Sequence, residues 1–353
     1  MNGRAGYKKY LISFLVLLVL IAATFFVLFD HFEYESILET IKTADYRFLI
    51  VGFAMIPVFL FCQGGVLKLF LDSTGEPTGL LRTFSYACVD FYYSAITPSA
   101  TGGDPMVVYH IGKDGKAVSK GVLAILMHTV LYKTTLFLFC ALGLLFRPEI
   151  LHMGGKLLKV LLIIGTAVNG VFLLIYLLSM FCSGLVRKLG GGVIALLSAL
   201  RIIKNREKTT VAFAGAIVEY RDAANHIKKQ PLLVLKAFLT VIIQRAAFFL
   251  VPYFVYLSLG YRGLNPLYFI AIQAIIALSV DSLPLPGGVG ANELAMILMY
   301  DSIFGSSMAA SAMIMTRGIN YYFCLLLTGI ASITKYILLV LRRRRAERRH
   351  IQQ

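Results

Sequence analysis

Asp281-Ser-Leu-Pro-Leu-Pro-Gly-Gly-Val-Gly-Ala-Asn-Glu293 is the stretch whose reading decides the fold. It lies between two apolar arms, residues 266–280 and 294–304. Each arm is shorter than the roughly 20 apolar residues that a spanning helix needs. Pro284, Pro286, Gly287, Gly288 and Gly290 cannot continue a helix, because proline lacks the N–H and glycine loses the most backbone entropy. The arms therefore predict a helix broken at membrane depth. Such a break is tolerated only where it is buried in protein or lines a wet cavity. Two carboxylates, Asp281 and Glu293, flank it. An external loop joining two short spans would carry the same residues, so the break alone does not prove depth.

The rest of the chain says that there is a membrane. Of 353 residues, 58 % are hydrophobic, against about 45–50 % in soluble domains. The net charge of +16 is read as Lys/Arg-rich cytoplasmic loops rather than as a nucleic-acid surface. Cys62, Cys88, Cys140, Cys182 and Cys324 lie in or beside apolar runs, without a C-x-x-C or adjacent histidines, so packed thiols are expected and no metal or cofactor.

Six spans are predicted, at residues 10–29, 48–71, 121–146, 157–181, 231–259 and 308–341. The first follows Arg4, Lys8 and Lys9; no small-residue cleavage site follows it, so an uncleaved span is expected. The second contains Pro57, Gln63 and Gly64–Gly65, a place for close helix approach. Pro252 predicts a kink in the fifth. Residues 1–341 form one helical membrane domain in this reading, and 342–353 a basic cytoplasmic tail. Residues 183–230 form a basic insert, with nine Lys/Arg against three acids and apolar residues at helical spacing, such as Ala214, Ile217 and Val218. It fits amphipathic helices on an anionic membrane surface, or a linker packed on the bundle.

A second Pro/Gly break occurs at Pro98, Gly102, Gly103 and Pro105, beside Asp104, after an apolar run over 80–96 that carries Asp90. Basic N-terminus, insert and C-terminus should all be cytoplasmic. Parity then requires residues 80–120 to begin and end inside, and 266–304 to begin and end outside. Two re-entrant helical hairpins entering from opposite faces satisfy this, as in inverted-repeat transporters whose discontinuous helices meet near the midplane, and a tilted full pair of spans in place of either hairpin leaves the parity unchanged. Helix N-termini at such breaks favour anions such as phosphate. The expected fold is thus all-α and polytopic, with about six spans plus two hairpins.

Ionised groups in the bilayer core cost at least about 2.5–3.5 kcal/mol on insertion scales, so they pair or face water. Asp90, Arg245, Arg317, Lys133 and His128 fall inside apolar runs. Asp90 and Asp281 are expected to pair with Arg245 and Arg317. The candidate headgroup-binding set is Asp90, Asp104, Asp281, Glu293, Arg245 and Arg317. The same residues would also serve as purely structural ion pairs. Arg317 stands out because a guanidinium grips phosphate bidentately.

Pro98-Ser99-x-x-Gly102-Gly103-Asp104-Pro105, then Pro284-x-Pro286-Gly287-Gly288-x-Gly290-x-x-Glu293, then Arg317 with Tyr321–Tyr322, resembles the transmembrane region of the lysylphosphatidylglycerol synthase family. That region is the flippase-like module of the bacterial multiple peptide resistance factor. The resemblance covers nearly the whole chain. It implies a multi-pass protein of the bacterial cell membrane that moves an anionic or aminoacylated phospholipid, such as lysyl-phosphatidylglycerol, between leaflets. Cationic peptide resistance would follow from the reduced surface charge. It is also compatible with a homodimer and with a separate cytoplasmic synthetase as partner.

The family enzyme is a phosphatidylglycerol lysyltransferase, but no soluble synthetase domain is visible after residue 341. Independent catalysis is not expected. No Ser/His/Asp set is apparent, and Gly287-Gly288-Val289-Gly290 lacks the preceding strand and following Lys-Ser/Thr of a phosphate loop. A scaffold for a synthetase or glycosyltransferase is the remaining alternative. With no nucleotide site, transport would be passive or driven by protons or membrane potential.

Overall fold

The computed structural model describes residues 34–181 and 206–351, together with positions 184 and 192. The expected span at 10–29 and most of the first part of the basic insert lie outside the described residues. All regular structure among the described residues is helical. Four helices are long and apolar enough to cross a membrane: Tyr46–Ser73, Val118–Phe146, Gly155–Ser179 and Pro231–Ser258.

In chain order, α1 is Tyr34–Thr43, α2 Tyr46–Ser73, α3 Leu80–Ala95, α4 Gly103–Lys113, α5 Val118–Phe146 and α6 Gly155–Phe181. Then come α7 Arg206–Lys228, α8 Pro231–Phe249, α9 Val251–Ser258, α10 Pro266–Val280 and α11 Ala291–Phe304. The last run is α12 Ser306–Arg317, a π-helical turn Gly318–Phe323, and α13 Cys324–Ile351. The kink expected in the fifth span falls at Leu250, where Pro252 enters the first turn of α9 and supplies no N–H to the helix before it.

α10 is the centre of the molecule. It has 15 residues, about 22 Å at 1.5 Å per residue, too short to cross a hydrocarbon core of about 30 Å. It is apolar on every side, and Phe269, Ile272, Ala274, Ile275 and Ile276 are fully buried. A helix without a polar face must be enclosed by others, and α5, α6, α8, α9 and α11 enclose it. Small residues permit this. A Cβ at Gly143 would meet Ala271, and one at Gly165 would run into the Leu278 carbonyl. Gly64 acts likewise for α2, since a Cβ there would lie 2.8 Å from Phe84 N, whereas Gly65 has open space.

The apolar interior is divided. One cluster surrounds α10 and α11 with parts of α2, α5, α6, α8, α9 and α12. A second holds α3 and α4 against α2, α5, α7 and α8. A small third cluster, Ala95, Ile96, Val289 and Tyr321, lies where the two breaks meet.

The first break is a 3-10 turn at Pro98–Ala100, with Ser99 and Ala100 at φ 49° and 54°. The second is a 3-10 turn at Pro286–Gly288, with Gly287, Gly288 and Gly290 at φ 60°, 63° and 88°. The turns pack on each other, and Ser99 Oγ donates to the Leu283 carbonyl at 3.4 Å.

The described part of the insert, α7, packs on α5 through Ile217, Tyr220, Ala223, Ala224 and Ile227. This corrects the expected apolar face. Val218 is 50 % exposed and Ala214 is exposed, because the helix turns Ile217 and the Tyr220–Ile227 stripe toward the bundle.

Candidate functional site

A cavity of about 330 Å³ opens between the two breaks. α2, α3 and α4 form one side, α5, α6 and α8 another, and the end of α10, the start of α11 and Arg317 close it. Five of the six residues chosen from the sequence line it: Asp90, Asp104, Asp281, Arg245 and Arg317. They come from five different helices or helix ends, more than 200 residues apart in the chain.

Glu293 is the exception. It is 3 % exposed and stands behind the cavity wall. As the third residue of α11 it folds back so that Oε2 accepts the Gly290 N–H at 2.7 Å, which satisfies a donor that the helix start leaves open. Oε1 then accepts from Arg317 Nε at 2.6 Å. Glu293 is therefore a partner that orients Arg317 and not itself a cavity residue.

Arg317 is 6 % exposed. Its Cζ sits 4.1 Å from the Tyr321 ring centroid, and its Nη2 has no hydrogen-bond partner. Arg317 closes α12, immediately before the π-helical turn Gly318–Phe323. Such turns are frequent at functional sites. Tyr321 also donates to the Ala95 carbonyl at 3.3 Å, tying the last helix to the end of α3.

The expected pairing of Asp90 and Asp281 with Arg245 and Arg317 is not formed. Glu293 takes Arg317, and neutral donors take the aspartates. Gln63 Nε2 donates to Asp90 Oδ2, and the Tyr132 hydroxyl donates to Asp281 Oδ2. Arg245 makes no ion pair among the described residues. Its Cζ lies 3.7 Å from the Tyr132 ring centroid and 5.3 Å from that of Phe59, and its Nε is buried without a partner. Two aromatic faces, and no carboxylate among the described residues, engage the Arg245 guanidinium. Asp104 is open to the cavity from the first turn of α4.

Of the nine break residues, Gly287 and Gly288 reach the cavity wall. A Cβ at Gly287 would collide with the Tyr321 hydroxyl, and one at Gly288 would lie 2.7 Å from Asn292. The other seven shape the breaks. Pro98 and Pro286 open the 3-10 turns. Gly102 and Gly290 are the N-caps of α4 and α11. A Cβ at Gly103 would strike Asp90 and Ser94, so only glycine lets α4 start against α3 there. Pro105 sits in the first turn of α4, where its missing N–H removes no helix bond, and Pro284 is exposed between α10 and the second turn.

Several cavity residues stood outside the candidate headgroup-binding set, some of them noted in the sequence and some not. Lys133 was recognisable as an intramembrane charge; it donates to Asn169 Oδ1, which anchors it to α6. Gln63 was visible as a polar residue in a span. Nothing in the sequence singles out Tyr132, Asn292 or Tyr176. No group of three or more His, Cys, Asp or Glu among the described residues could hold a metal ion.

The architecture defines a polytopic helical membrane protein with a charged cavity between two interrupted helix pairs. The sequence model of the lysylphosphatidylglycerol synthase TM region matches residues 10–328, and the chain belongs to that family. Its relatives include a UPF0104 membrane protein of Archaeoglobus fulgidus, 24 % identical over 314 residues, covering 87 % of this chain and 92 % of the relative. Another is the UPF0104 membrane protein PH1989 of Pyrococcus horikoshii, 24 % identical over 319 residues with the same two coverages. Membership is consistent with a lipid-handling role in the membrane.

Proposed function

We propose that this protein translocates a phosphate-headed lipid between leaflets, its substrates being anionic or aminoacylated phospholipids such as lysyl-phosphatidylglycerol. The observation that carries this reading is Arg317, which lines a cavity that also presents Arg245 and three aspartates and whose Nη2 is buried and unpartnered. A guanidinium held by Glu293 through Nε keeps its other edge for a phosphate oxygen. Asn292 and the first turn of α11 stand beside it with the positive end of the helix dipole. Asp90, Asp104 and Asp281 face the same space and suit hydroxyl or ammonium groups of a headgroup. In this reading α3–α4 and α10–α11 are re-entrant from opposite faces, both termini and the basic insert are cytoplasmic, and the headgroup crosses at the touching breaks. Wet, charged walls at that point remove much of the cost of carrying a headgroup through hydrocarbon.

Leaflet exchange of headgroup-labelled phosphatidylglycerol and its lysyl form, in proteoliposomes without nucleotide and read by a membrane-impermeant quencher, tests the proposal. The variant is Arg317→Met with Glu293→Gln, which removes the pair together and strands no buried charge. Exchange by the wild type and its loss in the folded double variant support the reading. Wild-type exchange rates in the double variant, or no exchange of either lipid by folded wild type, overturn it.

A further inference from the structure

His128 on α5, Gln244 on α8 and Gln63 on α2 are buried at 6, 0 and 2 % exposure. They form a row. His128 Nε2 lies 3.2 Å from Gln244 Oε1, Gln244 Nε2 donates to Gln63 Oε1 at 3.3 Å, and Gln63 Nε2 donates to Asp90 Oδ2 at 2.5 Å. The carboxylate end sets the direction. An ionised carboxylate only accepts, so Gln63 must present its N–H there and turn its oxygen to Gln244. Gln244 must then donate with Nε2, and its oxygen is left to accept from His128. The imidazole therefore carries a hydrogen on Nε2. Every N–H in the row points toward Asp90, so the dipoles polarise one another. Each buried amide left unsatisfied costs about 1–3 kcal/mol, so each link enforces the next. The other Asp90 oxygen is pressed toward Gly103, where a Cβ would strike it.

The same two helices serve the second helix pair. Tyr132 lies one turn after His128 and donates to Asp281, and Arg245 follows Gln244 and stacks on Tyr132. α5 and α8 thus orient one cavity carboxylate from each pair.

We propose that His128, Gln244 and Gln63 are positioning residues. They form a one-way amide relay that holds the Asp90 carboxylate as an oriented acceptor facing the cavity, and lipid exchange depends on it. The inference rests on the translocation reading, but the relay has a readout of its own. Infrared difference spectra between wild type and Asp90→Asn assign the Asp90 carboxylate stretch, and that band reports the hydrogen bond it accepts.

The experiment compares wild type, His128→Leu, His128→Gln, Asp90→Asn and the His128→Leu/Asp90→Asn double variant in proteoliposomes. All are checked for monodispersity and thermal midpoint. His128→Leu should shift the Asp90 band and slow exchange about tenfold, the scale of one hydrogen bond to a charged group. His128→Gln keeps a donor and should restore the band and most of the rate. In the Asp90→Asn background, His128→Leu should add no further loss, because the two act through one chain. Gln244→Met, of similar volume, replaces His128→Leu if the latter does not fold. A band shifted by His128→Leu, together with a wild type that exchanges no lipid, upholds the relay and removes the translocation reading. An unmoved Asp90 band, or losses that multiply independently in the double variant, overturns the relay.

Discussion

The two interrupted helix pairs are each joined through a 3-10 turn and differ in how they divide burial and charge. In α10–α11 the first helix is apolar and enclosed, the second is exposed at Leu294, Asp301 and Ser302, and glycines at positive φ break the pair. α3–α4 carries Asp90 and Asp104 on or beside the cavity, and its break puts Ser99 and Ala100 in the left-handed region. Each pair is gripped by a cation of the C-terminal helical run, Arg317 at the end of α12 and Lys335 on α13. Arg317 holds Glu293 with side chains 7 % and 4 % exposed. Lys335 holds Asp114 at 3.7 Å, donates to Ser85 Oγ at 2.9 Å and lies 3.8 Å from the Tyr86 ring centroid. The difference teaches that burial and chemistry are divided. One pair forms the buried centre and divides its carboxylates, Asp281 lining the cavity and Glu293 holding Arg317 behind its wall, whereas the other turns both Asp90 and Asp104 to the cavity and tolerates a strained turn to do so.

The sharpest way to break this comparison is to delete one carboxylate from each pair. Glu293→Ala strands a buried guanidinium and should cost about 3–5 kcal/mol, whereas Asp104→Ala, open to the cavity, should cost under about 0.5 kcal/mol. Thermal unfolding in detergent measures both, and equal losses would remove the distinction. Lys335→Met comes next. It removes the cation that links Asp114 and Ser85 to the last helix and leaves Asp114 with the Tyr86 hydroxyl at 2.7 Å, for a loss of about 1–3 kcal/mol. Gly287→Ala places a Cβ at φ 60° against Tyr321, which should cost at least about 1–2 kcal/mol by the same assay. The smallest effect has the opposite sign. Ala100→Gly relieves φ 54° at the first break and should raise stability by at most about 1 kcal/mol, since glycine's added chain entropy offsets part of the gain. A destabilised Ala100→Gly protein would show that the first turn is not strained.

Much of this was legible beforehand. Proline and glycine cannot hide in an apolar run, so both breaks and the Pro252 kink could be read directly. Charges in such runs have to go somewhere wet or paired, and this brought five of six chosen residues to one cavity. Partner choice was not legible. An inventory of three aspartates, a glutamate and two arginines fits several pairings; the fold-back of Glu293 onto Gly290, set by the first turn of α11, decides for Arg317. Gln63 and Tyr132 then satisfy the aspartates with neutral donors. The π-helical turn at Gly318–Phe323 has no signature in Gly-Ile-Asn-Tyr-Tyr-Phe either, because it depends on seating Tyr321 against Arg317 and Ala95.

By itself the sequence determined what is local: helix where apolar residues run on, a break where proline and glycine remove the N–H or loosen the backbone, and membrane as the solvent for so apolar a chain. Only the tertiary structure decided which charges meet, which face of α7 is buried, and that α10 is the enclosed centre. Those depend on distances between residues far apart in the chain, and a one-dimensional pattern contains no distances across helices.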